Sequence, residues 1–312
     1  MSVYTRLNIN ELSPVVTRLK LDPIKSLEGI SAGVVNTNYK LTTDSQKYVL
    51  TLVEDPQEAV ALPFIAGLLT HLAKKGIPCP HPVADTKGKA YFSIKNRPSL
   101  LAGFLNGSSP TEPTKTHCYE IGKILATIHI AGADFPQVRQ NPMGAEKWAE
   151  LLNKIGPMLQ TKDSTTMEIL LNELQWLEDN FQNPELPKGV CHGDLFPDNS
   201  LFVEEKLTGV IDFFFACNDL YIYDLAVARN AWCFDVKGKP IPGYWEKLLD
   251  GYEKIRPLTK KEKKHLTTTA RAAALRFSLT RLHDNFFPRS GETVTKKDPQ
   301  PFLERLKYFR QL

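Results

Sequence analysis

The chain has 312 residues, of which 42% are hydrophobic and 24% are charged, as in soluble globular proteins, and this excludes a largely disordered or fibrous chain. Lys and Arg outnumber Asp and Glu by 39 to 35, and the small excess is spread along the chain. We therefore expect no nucleic-acid partner and no role at a membrane surface.

The first third of the chain is rich in strand patterns. Residues 30–53 predict a β-hairpin or meander, because apolar and β-branched residues alternate loosely with polar ones around a turn. Apolar residues then recur at helical spacing over 62–75, until Gly76 ends the pattern. Two short strand candidates and a polar loop follow, at 91–94, 100–105 and 106–110.

The remainder of the chain is mostly helical in pattern. Short strand-like runs interrupt the helices at 189–192, 200–203 and 208–213. Helical spacing covers 118–131, 145–159, 164–182, 220–234, 243–255, 260–285 and 299–310. The sequence thus predicts an α+β fold of two lobes, a small β-rich N-terminal lobe (1–103) and a larger, mainly helical C-terminal lobe (104–312), with a cleft between them where ligand sites often lie.

Targeting segments and cysteine usage bear on the compartment. The first eleven residues lack the basic and apolar stretches of a signal peptide, and no window of about 20 apolar residues predicts a membrane span. The five cysteines form no C-x-x-C pair and mostly lie in apolar runs, where cysteine behaves as a small hydrophobe. We expect reduced thiols and a cytoplasmic protein.

One segment carries the polar residues that point to chemistry. His192, Asp194 and Asn199 fit the pattern H-x-D-x-x-x-x-N between two strand-like runs, and the next strand-like run ends on the carboxylate of Asp212. Phosphoryl transfer requires a carboxylate to orient the attacking hydroxyl and oxygen ligands for the metal ion that bridges the phosphates. Asp194, Asn199 and Asp212 supply these groups at the spacing that kinases use.

Each of these residues also has a purely structural interpretation. Asp194 and Asn199 are residue types that dominate turns. His192 is better explained as a residue that organises the loop than as the base, because the motif places the carboxylate next to the hydroxyl. Asp224 is either a carboxylate at a helix N-terminus or the partner that fixes His192, and we favour the partner.

Four longer strings are typical of one family. They are HGDLFPDN (192–199), IDFFFACND (211–219), YDLA (223–226) and NAWCF (230–234). On these strings the chain resembles the aminoglycoside-phosphotransferase and choline-kinase-like superfamily of small-molecule kinases, which have a protein-kinase-like fold, and within it the homoserine kinases. The resemblance extends from about residue 28 to 310, with a supporting KKDP string at 296–299.

The resemblance implies an activity and a set of roles. Members transfer the γ-phosphate of ATP to the side-chain hydroxyl of L-homoserine, on the way to threonine, with Mg²⁺ as the metal. Asp194 is implied to be the catalytic base, and Asn199 and Asp212 are implied to be the magnesium ligands. His192 and Asp224 are implied to support the loop.

The nucleotide site follows from the same resemblance. Adenine is expected at the backbone of Gly103, Phe104 and Leu105, and the segment containing Ser31, Gly33 and Asn38 is expected over the phosphates. The sequence departs from the superfamily at Thr51, where kinases usually have a phosphate-binding Lys or Arg. Candidates for the missing cation are Lys40, Lys47 and Lys95.

The substrate pocket is the least determined part of the site. Free homoserine carries a carboxylate that needs an Arg or amide donor and an ammonium group that needs oxygen acceptors. The candidates are polar or aromatic residues on two helical stretches, although each arginine also fits a solvated helix face and the tryptophan also fits a core position. They are Arg229, Asn230, Trp232, Arg276 and Arg281.

Two alternatives to a homoserine kinase remain open at this point. The first is a kinase for another small alcohol, such as serine, choline, methylthioribose or an aminoglycoside. The second is a non-catalytic nucleotide-binding sensor, which only the missing cation at Thr51 favours. The sequence does not predict an oligomeric state.

Overall fold

A computed structural model of the chain describes residues 4–30, 36–181, 185–288 and 297–312. The small lobe is a five-stranded antiparallel sheet with a short helix before it and two helices within it. The strands lie in the spatial order β1-β2-β3-β5-β4. In chain order the elements are α1 (Ser13–Leu19), β1 (Ile24–Ile30), β2 (Thr37–Thr43), β3 (Lys47–Leu52), α2 (Pro56–Ala59), α3 (Leu62–Lys74), β4 (Phe92–Ile94) and β5 (Arg97–Gly103).

The two faces of this sheet have different partners. Leu41, Leu50 and Leu101 lie on one face and share a core with Val15 of α1 and its neighbours. Residues on the other face alternate with these, because successive side chains of a strand point to opposite sides. Leu100 on that face joins the core of the large lobe, so the second face is directed toward the rest of the chain.

Helix α3 packs with the large lobe. It is buried along most of its length, and its apolar side chains, Leu68 and Leu72 among them, belong to the same core as the helices that follow. Nε2 of His71 also lies 3.0 Å from the carbonyl oxygen of Ala131. One face of the small-lobe sheet therefore packs on α1, while the other face and α3 share the core of the large lobe.

The large lobe contains seven α-helices and two short two-stranded antiparallel sheets within the described ranges. Strand β6 pairs with β9, and β7 pairs with β8. The elements are α4 (Lys115–Ala131), α5 (Ala145–Lys162), α6 (Ser164–Asn180), β6 (Lys188–Cys191), β7 (Ser200–Val203), β8 (Lys206–Val210), β9 (Cys217–Leu220), α7 (Tyr221–Trp232), α8 (Tyr244–Ile255), α9 (Lys260–Phe286) and α10 (Gln300–Arg310).

Two glycines allow α4 and α8 to touch backbone to backbone. A Cβ atom at Gly122 of α4 would lie 2.0 Å from the carbonyl oxygen of Leu248, and one at Gly251 of α8 would lie 2.1 Å from that of Tyr119. No other residue fits at either position without moving a helix backbone, since real Cβ contacts are not this short. The two glycines therefore fix how closely the helices approach.

The five cysteines are all buried and free. Burial raises the pKa of the Cys79 thiol to about 12 and also raises the pKa values of Cys191, Cys217 and Cys233. Among the described helices, none combines the length and apolar character required to cross a bilayer.

The structure confirms the predicted α+β fold and most of its elements. The sequence analysis missed α1, α2, β1 and β9. Strand β1 lies at an edge of the sheet and shows no regular alternation of burial, and β9 has only four residues, so neither carries the periodic signal of a strand. The strand predicted at 208–213 extends too far, because the observed strand ends at Val210 and a 3-10 turn begins at Phe213. The boundary at Gly103 stays a prediction.

The contact between α4 and α8 predicts the effect of a small substitution. We expect Gly122→Ala to lower the free energy of unfolding by about 2 kcal/mol or more, because the new methyl group must displace the backbone of α8. Urea unfolding measures this effect. Gly156→Ala in α5 is the matched control, since its Cβ would meet only the flexible end of Met167 and alanine favours the helix. Equal stability of the two variants would contradict the prediction.

Candidate active site

A buried carboxylate at the start of α7 holds the backbone of the predicted catalytic loop, residues 192–199. Asp224 is fully buried, and its two oxygens accept hydrogen bonds from the amides of His192 (2.7 Å) and Gly193 (2.8 Å). Such charge-assisted bonds are stronger than neutral ones. Asp224 therefore fixes the backbone immediately before Asp194.

A histidine on α4 completes this support. Nε2 of His129 lies 3.0 Å from Asp224, and its Nδ1 lies 2.7 Å from the hydroxyl of Tyr252 on α8. Burial lowers the pKa of His129, which keeps the ring neutral. Nε2–H then donates to Asp224, and Nδ1 accepts from Tyr252. Burial alone would raise the pKa of Asp224, but the hydrogen bonds from His129 and Gly193 outweigh it and lower that pKa.

Cys191 lies beside His129 and Asp224, and the three side chains place possible metal-ligand atoms within 4.8 Å of one another. The Cys191 thiol is directed at backbone carbonyls, and burial raises its pKa well above its ordinary value. A protonated thiol is a poor ligand, since metals bind the thiolate. We interpret this trio as a hydrogen-bonding cluster.

The ring of His192 links the loop to the strand that precedes Asp212. Its Nε2 lies 3.0 Å from the carbonyl oxygen of Ile211, and its Nδ1 accepts the amide of Asp194 at 3.2 Å. Burial lowers the pKa of the ring, so the neutral form makes both bonds. The expected pairing of Asp224 with His192 is therefore present through the His192 backbone amide, while the imidazole has different partners.

Asp194 lies half-buried at the centre of the loop. The side-chain amide of Asn199 donates to its carbonyl oxygen (2.8 Å) and to its Oδ2 (3.2 Å). Burial raises the pKa of Asp194 to about 6, opposed by the charge of Arg276 and reinforced by that of Asp212. A carboxylate with such a pKa is ionised at neutral pH and can accept a proton.

Asp212 lies beside Asn199 because the amide of Ile211 donates to the carbonyl oxygen of Asn199 at 2.9 Å. Its backbone is left-handed, with φ of 62°, which is rare outside glycine, and the residue is exposed. The surrounding protein raises the pKa of Asp212, mainly through lost solvation. Its Oδ1 is 3.4 Å from the amide of Phe214.

These two residues fit a hard divalent cation. The amide nitrogen of Asn199 is used by Asp194, and its Oδ1 accepts no hydrogen bond from the described residues. Asp212 adds an exposed carboxylate. An amide oxygen and a carboxylate are the ligands that Mg²⁺ prefers, so the donor set agrees with the predicted metal site.

The predicted nucleotide face of the sheet carries a neutral pair in place of a cation. Asn38 on β2 stands opposite Thr51 on β3, and the Thr51 hydroxyl donates to Oδ1 of Asn38 at 2.7 Å. The three candidate lysines have other environments. Lys40 lies 3.6 Å from Glu28, Lys95 binds Glu11 at 2.8 Å, and Lys47 is exposed at the start of β3.

The connection between the lobes leaves one amide available. Gly103 donates to the carbonyl of His81 and Phe104 donates to that of Lys47, both at 3.0 Å. Within the described part of the chain, the amide of Leu105 has no protein acceptor. Ser31 and Gly33, expected over the phosphates, lie outside the described residues.

The predicted substrate residues separate into buried and accessible ones. Asn230 and Trp232 are core residues of α7, with side chains that donate to the carbonyls of Ala226 and Leu195 respectively. Both residues follow the hairpin and Asp212 in sequence, but they are buried in the core and have no surface open to a substrate.

The three arginines also differ. Arg229 is buried, with its guanidinium 4.4 Å from the ring centroid of Trp245. Arg276 is buried and donates to the carbonyl of Gly193 at 2.6 Å, so it holds the loop from the side opposite Asp224. Arg281 is only half-buried.

Sequence reasoning missed His129 and Tyr252. A single histidine in an apolar helical stripe and a tyrosine in an amphipathic helix give no local signal, because their partner Asp224 lies far away along the chain. Only the packing of α4 against α8 and α7 brings these residues together.

The two-lobed fold, together with a loop carboxylate beside an oxygen-donor pair, defines a kinase-like phosphotransferase. The sequence matches the Phosphotransferase enzyme family over residues 26–258, more than half of the chain, and the chain belongs to this family.

Curated relatives are similar over the whole length. The homoserine kinase of Mesorhizobium japonicum is 40% identical over 319 aligned positions, covering 100% of this chain and 97% of the relative. The homoserine kinase of Brucella melitensis is 40% identical over 312 positions, covering 100% of this chain and 95% of the relative.

Solved structures of phosphotransferases have the same fold. Spectinomycin phosphotransferase in complex with ADP and spectinomycin has a TM-score of 0.68 at 17% identity, over 98% of this chain and 95% of that one. An amicoumacin kinase in complex with AMP-PNP and Ca²⁺ has a TM-score of 0.66 at 15% identity, over 91% and 86% of the two chains.

The raised pKa of Asp194 predicts a cost in stability. Below pH 3.8 the carboxyl is protonated in both states, whereas above pH 6 it is ionised in both and the folded protein bears the cost of the buried charge. We expect Asp194→Asn to raise the free energy of unfolding by about 1–3 kcal/mol at pH 8, and this gain to disappear as the pH falls from 6 to 4.

Urea unfolding at pH 8 and pH 4.5, with chelator and without nucleotide, measures this difference. Asp250→Asn on the exposed surface of α8 is the control, and its effect should be small at both pH values. An Asp194→Asn variant that is less stable than the wild type at pH 8 would refute the assignment of a raised pKa.

Proposed function

We propose that the chain is an ATP-dependent homoserine kinase, which transfers the γ-phosphoryl group to the side-chain hydroxyl of L-homoserine. The observation that carries this conclusion is the 40% identity to curated homoserine kinases over the entire chain. The cluster of Asp194, Asn199 and Asp212 agrees with it, because this geometry suits transfer to a hydroxyl group.

Asp194 acts on the acceptor. The homoserine hydroxyl oxygen attacks the γ-phosphorus, the bond from that phosphorus to the β,γ-bridging oxygen breaks, and ADP leaves. The hydroxyl proton passes to Oδ1 or Oδ2 of Asp194. Asp224 and His129 do not touch the reactants, and they position the loop that carries Asp194.

Asn199 and Asp212 hold the metal ion, which we propose to be Mg²⁺. When bound, the ion neutralises the charge of the phosphates and orients them. The hydrogen bonds from Asn199 to Asp194 keep the predicted base and the predicted ligand in a fixed relation. This relation aligns the acceptor with the phosphoryl group.

Adenine binds between the lobes at the connection after β5. We propose the amide of Leu105 as its hydrogen-bond donor, since the two preceding amides are already used by His81 and Lys47. Two phosphotransferases with the same fold were solved with ADP and with AMP-PNP and Ca²⁺, which supports binding of a nucleotide and a metal ion by this fold. The free, buried cysteines are compatible with a cytoplasmic location.

A substrate panel tests the function. Turnover of ATP with Mg²⁺ is measured against homoserine, serine, choline and an aminoglycoside, and the product is identified as O-phosphohomoserine. We expect homoserine to be preferred by kcat/KM. Faster turnover of another alcohol would transfer the activity to that substrate, and ATP binding without any turnover would favour a sensor.

Two carboxylate substitutions separate the proposed roles. Asp194→Asn should lower kcat by at least about 1,000-fold with little change in the KM for ATP, because the base acts on the hydroxyl. Asp212→Asn should raise the Mg²⁺ concentration required for half-maximal rate by about tenfold or more. Asp250→Asn serves as the control, and an unchanged Mg²⁺ requirement in Asp212→Asn would exclude its role as a ligand.

A further inference from the structure

The chain returns to the catalytic loop just before α10, at the end of the KKDP string. Oδ1 of Asp298 accepts a hydrogen bond from the backbone amide of Gln300 at 2.9 Å. The carbonyl oxygen of Asp298 accepts one from Nη1 of Arg281, also at 2.9 Å. Nζ of Lys297 lies 3.6 Å from Oδ2 of Asp198 in the loop. The cationic side chains of Arg281, on α9, and of Lys297, in this segment, therefore lie near the loop that carries Asp194.

An aromatic layer connects Arg281 with the loop. Phe196, two residues after Asp194, packs on Phe277 and Phe302, with ring centroids 4.9 and 6.2 Å apart. The guanidinium of Arg281 lies over the same Phe302 ring at 4.3 Å. Arg281 and the loop thus share one aromatic support, which holds the guanidinium beside the loop.

Arg281 differs in its partners from Arg271 and Arg256 of the same lobe, which both pair with carboxylates. Arg271 forms two bonds of 2.7 and 2.8 Å to Glu173, and Arg256 lies 2.9 Å from Glu262. Arg281 has no carboxylate within 4.0 Å among the described residues, and its NH1 bonds a carbonyl. A half-buried guanidinium in this state has donors left for an external anion.

Three carboxylates lie close enough to act on the charge of Arg281. Burial lowers the pKa of Arg281, and the carboxylates of Asp298, Asp194 and Asp198 oppose that shift. Lys297, whose Nζ lies 3.6 Å from Asp198, also acts on Asp194. Both cations are therefore within electrostatic range of the predicted base.

We propose that Arg281, assisted by Lys297, binds the α-carboxylate of the amino-acid substrate. The inference rests on the proposed function and names the residues that read its substrate. In extended homoserine the carboxylate carbon lies about 5 Å from the hydroxyl oxygen, given bonds of ordinary length. A hydroxyl at Asp194 thus directs the carboxylate toward a nearby cation. Choline and aminoglycosides have no carboxylate and gain nothing from this pair.

A paired substrate tests the proposal. Homoserine and homoserine amide differ only in the charge of the terminal group, and kcat/KM is measured for both with saturating ATP and Mg²⁺. We expect the wild type to prefer homoserine by about 10–100-fold, the value of a charge-assisted hydrogen bond. In Arg281→Gln, kcat/KM for homoserine should fall by this factor. Its kcat/KM for the amide and its KM for ATP should remain within about twofold of the wild-type values.

Three further variants make the result specific. Lys297→Gln, at an exposed residue whose loss cannot unfold the chain, should lower the preference for homoserine by about 3–10-fold. Arg281→Lys keeps the charge and should recover part of the preference. Lys264→Gln removes an exposed charge from the same helix and should change nothing.

The outcomes are distinct for the two proposals. An equal loss on homoserine and on the amide, or a raised KM for ATP in Arg281→Gln and Lys297→Gln, would overturn the carboxylate site while leaving a homoserine kinase intact. A wild-type enzyme that phosphorylates neither compound would refute the proposed function, and the carboxylate site would be rejected with it.

Discussion

The buried carboxylate of Asp224 is the constraint on which the candidate site depends. Asp224 accepts hydrogen bonds from two backbone amides of the loop and from the ring of His129. Its carboxylate therefore stays ionised in a position where burial alone would favour protonation. An unpaired charge in this place would cost several kcal/mol. The loop conformation and the ionisation of Asp224 therefore stabilise each other, and the loss of either removes the other.

The parts of the site that could be predicted from sequence are those encoded by neighbouring residues. Asp194 and Asn199 lie on one loop, and Asp212 follows after a single hairpin, so a short pattern specifies all three. His129 could not be predicted, because its role arises only when α4 meets α7. Trp232 was a wrong substrate candidate for the opposite reason. It follows Asp212 by 20 residues in sequence, but α7 is buried on almost every side, so its ring cannot reach a substrate.

The small lobe illustrates how a fold keeps its shape when a characteristic side chain changes. The Thr51 hydroxyl donates to Oδ1 of Asn38 across β2 and β3, so the hydroxyl that stands in place of a lysine has a partner within the sheet. Helix α3 is attached to the large-lobe core through apolar packing and His71, whereas the sheet packs on α1. The contact between the sheet and α3 is thus apolar, and among the described residues no ion pair joins them.

The state of the five cysteines has a practical consequence for studying motion in solution. Because every native thiol is buried and four have raised pKa values, maleimide reagents that attack exposed thiolates will find almost no target in the folded chain. A cysteine introduced at an exposed position such as Val60 or Val236 will then be labelled alone. Fluorophores on the two lobes can then test whether the cleft opens and closes, with every native core residue left in place.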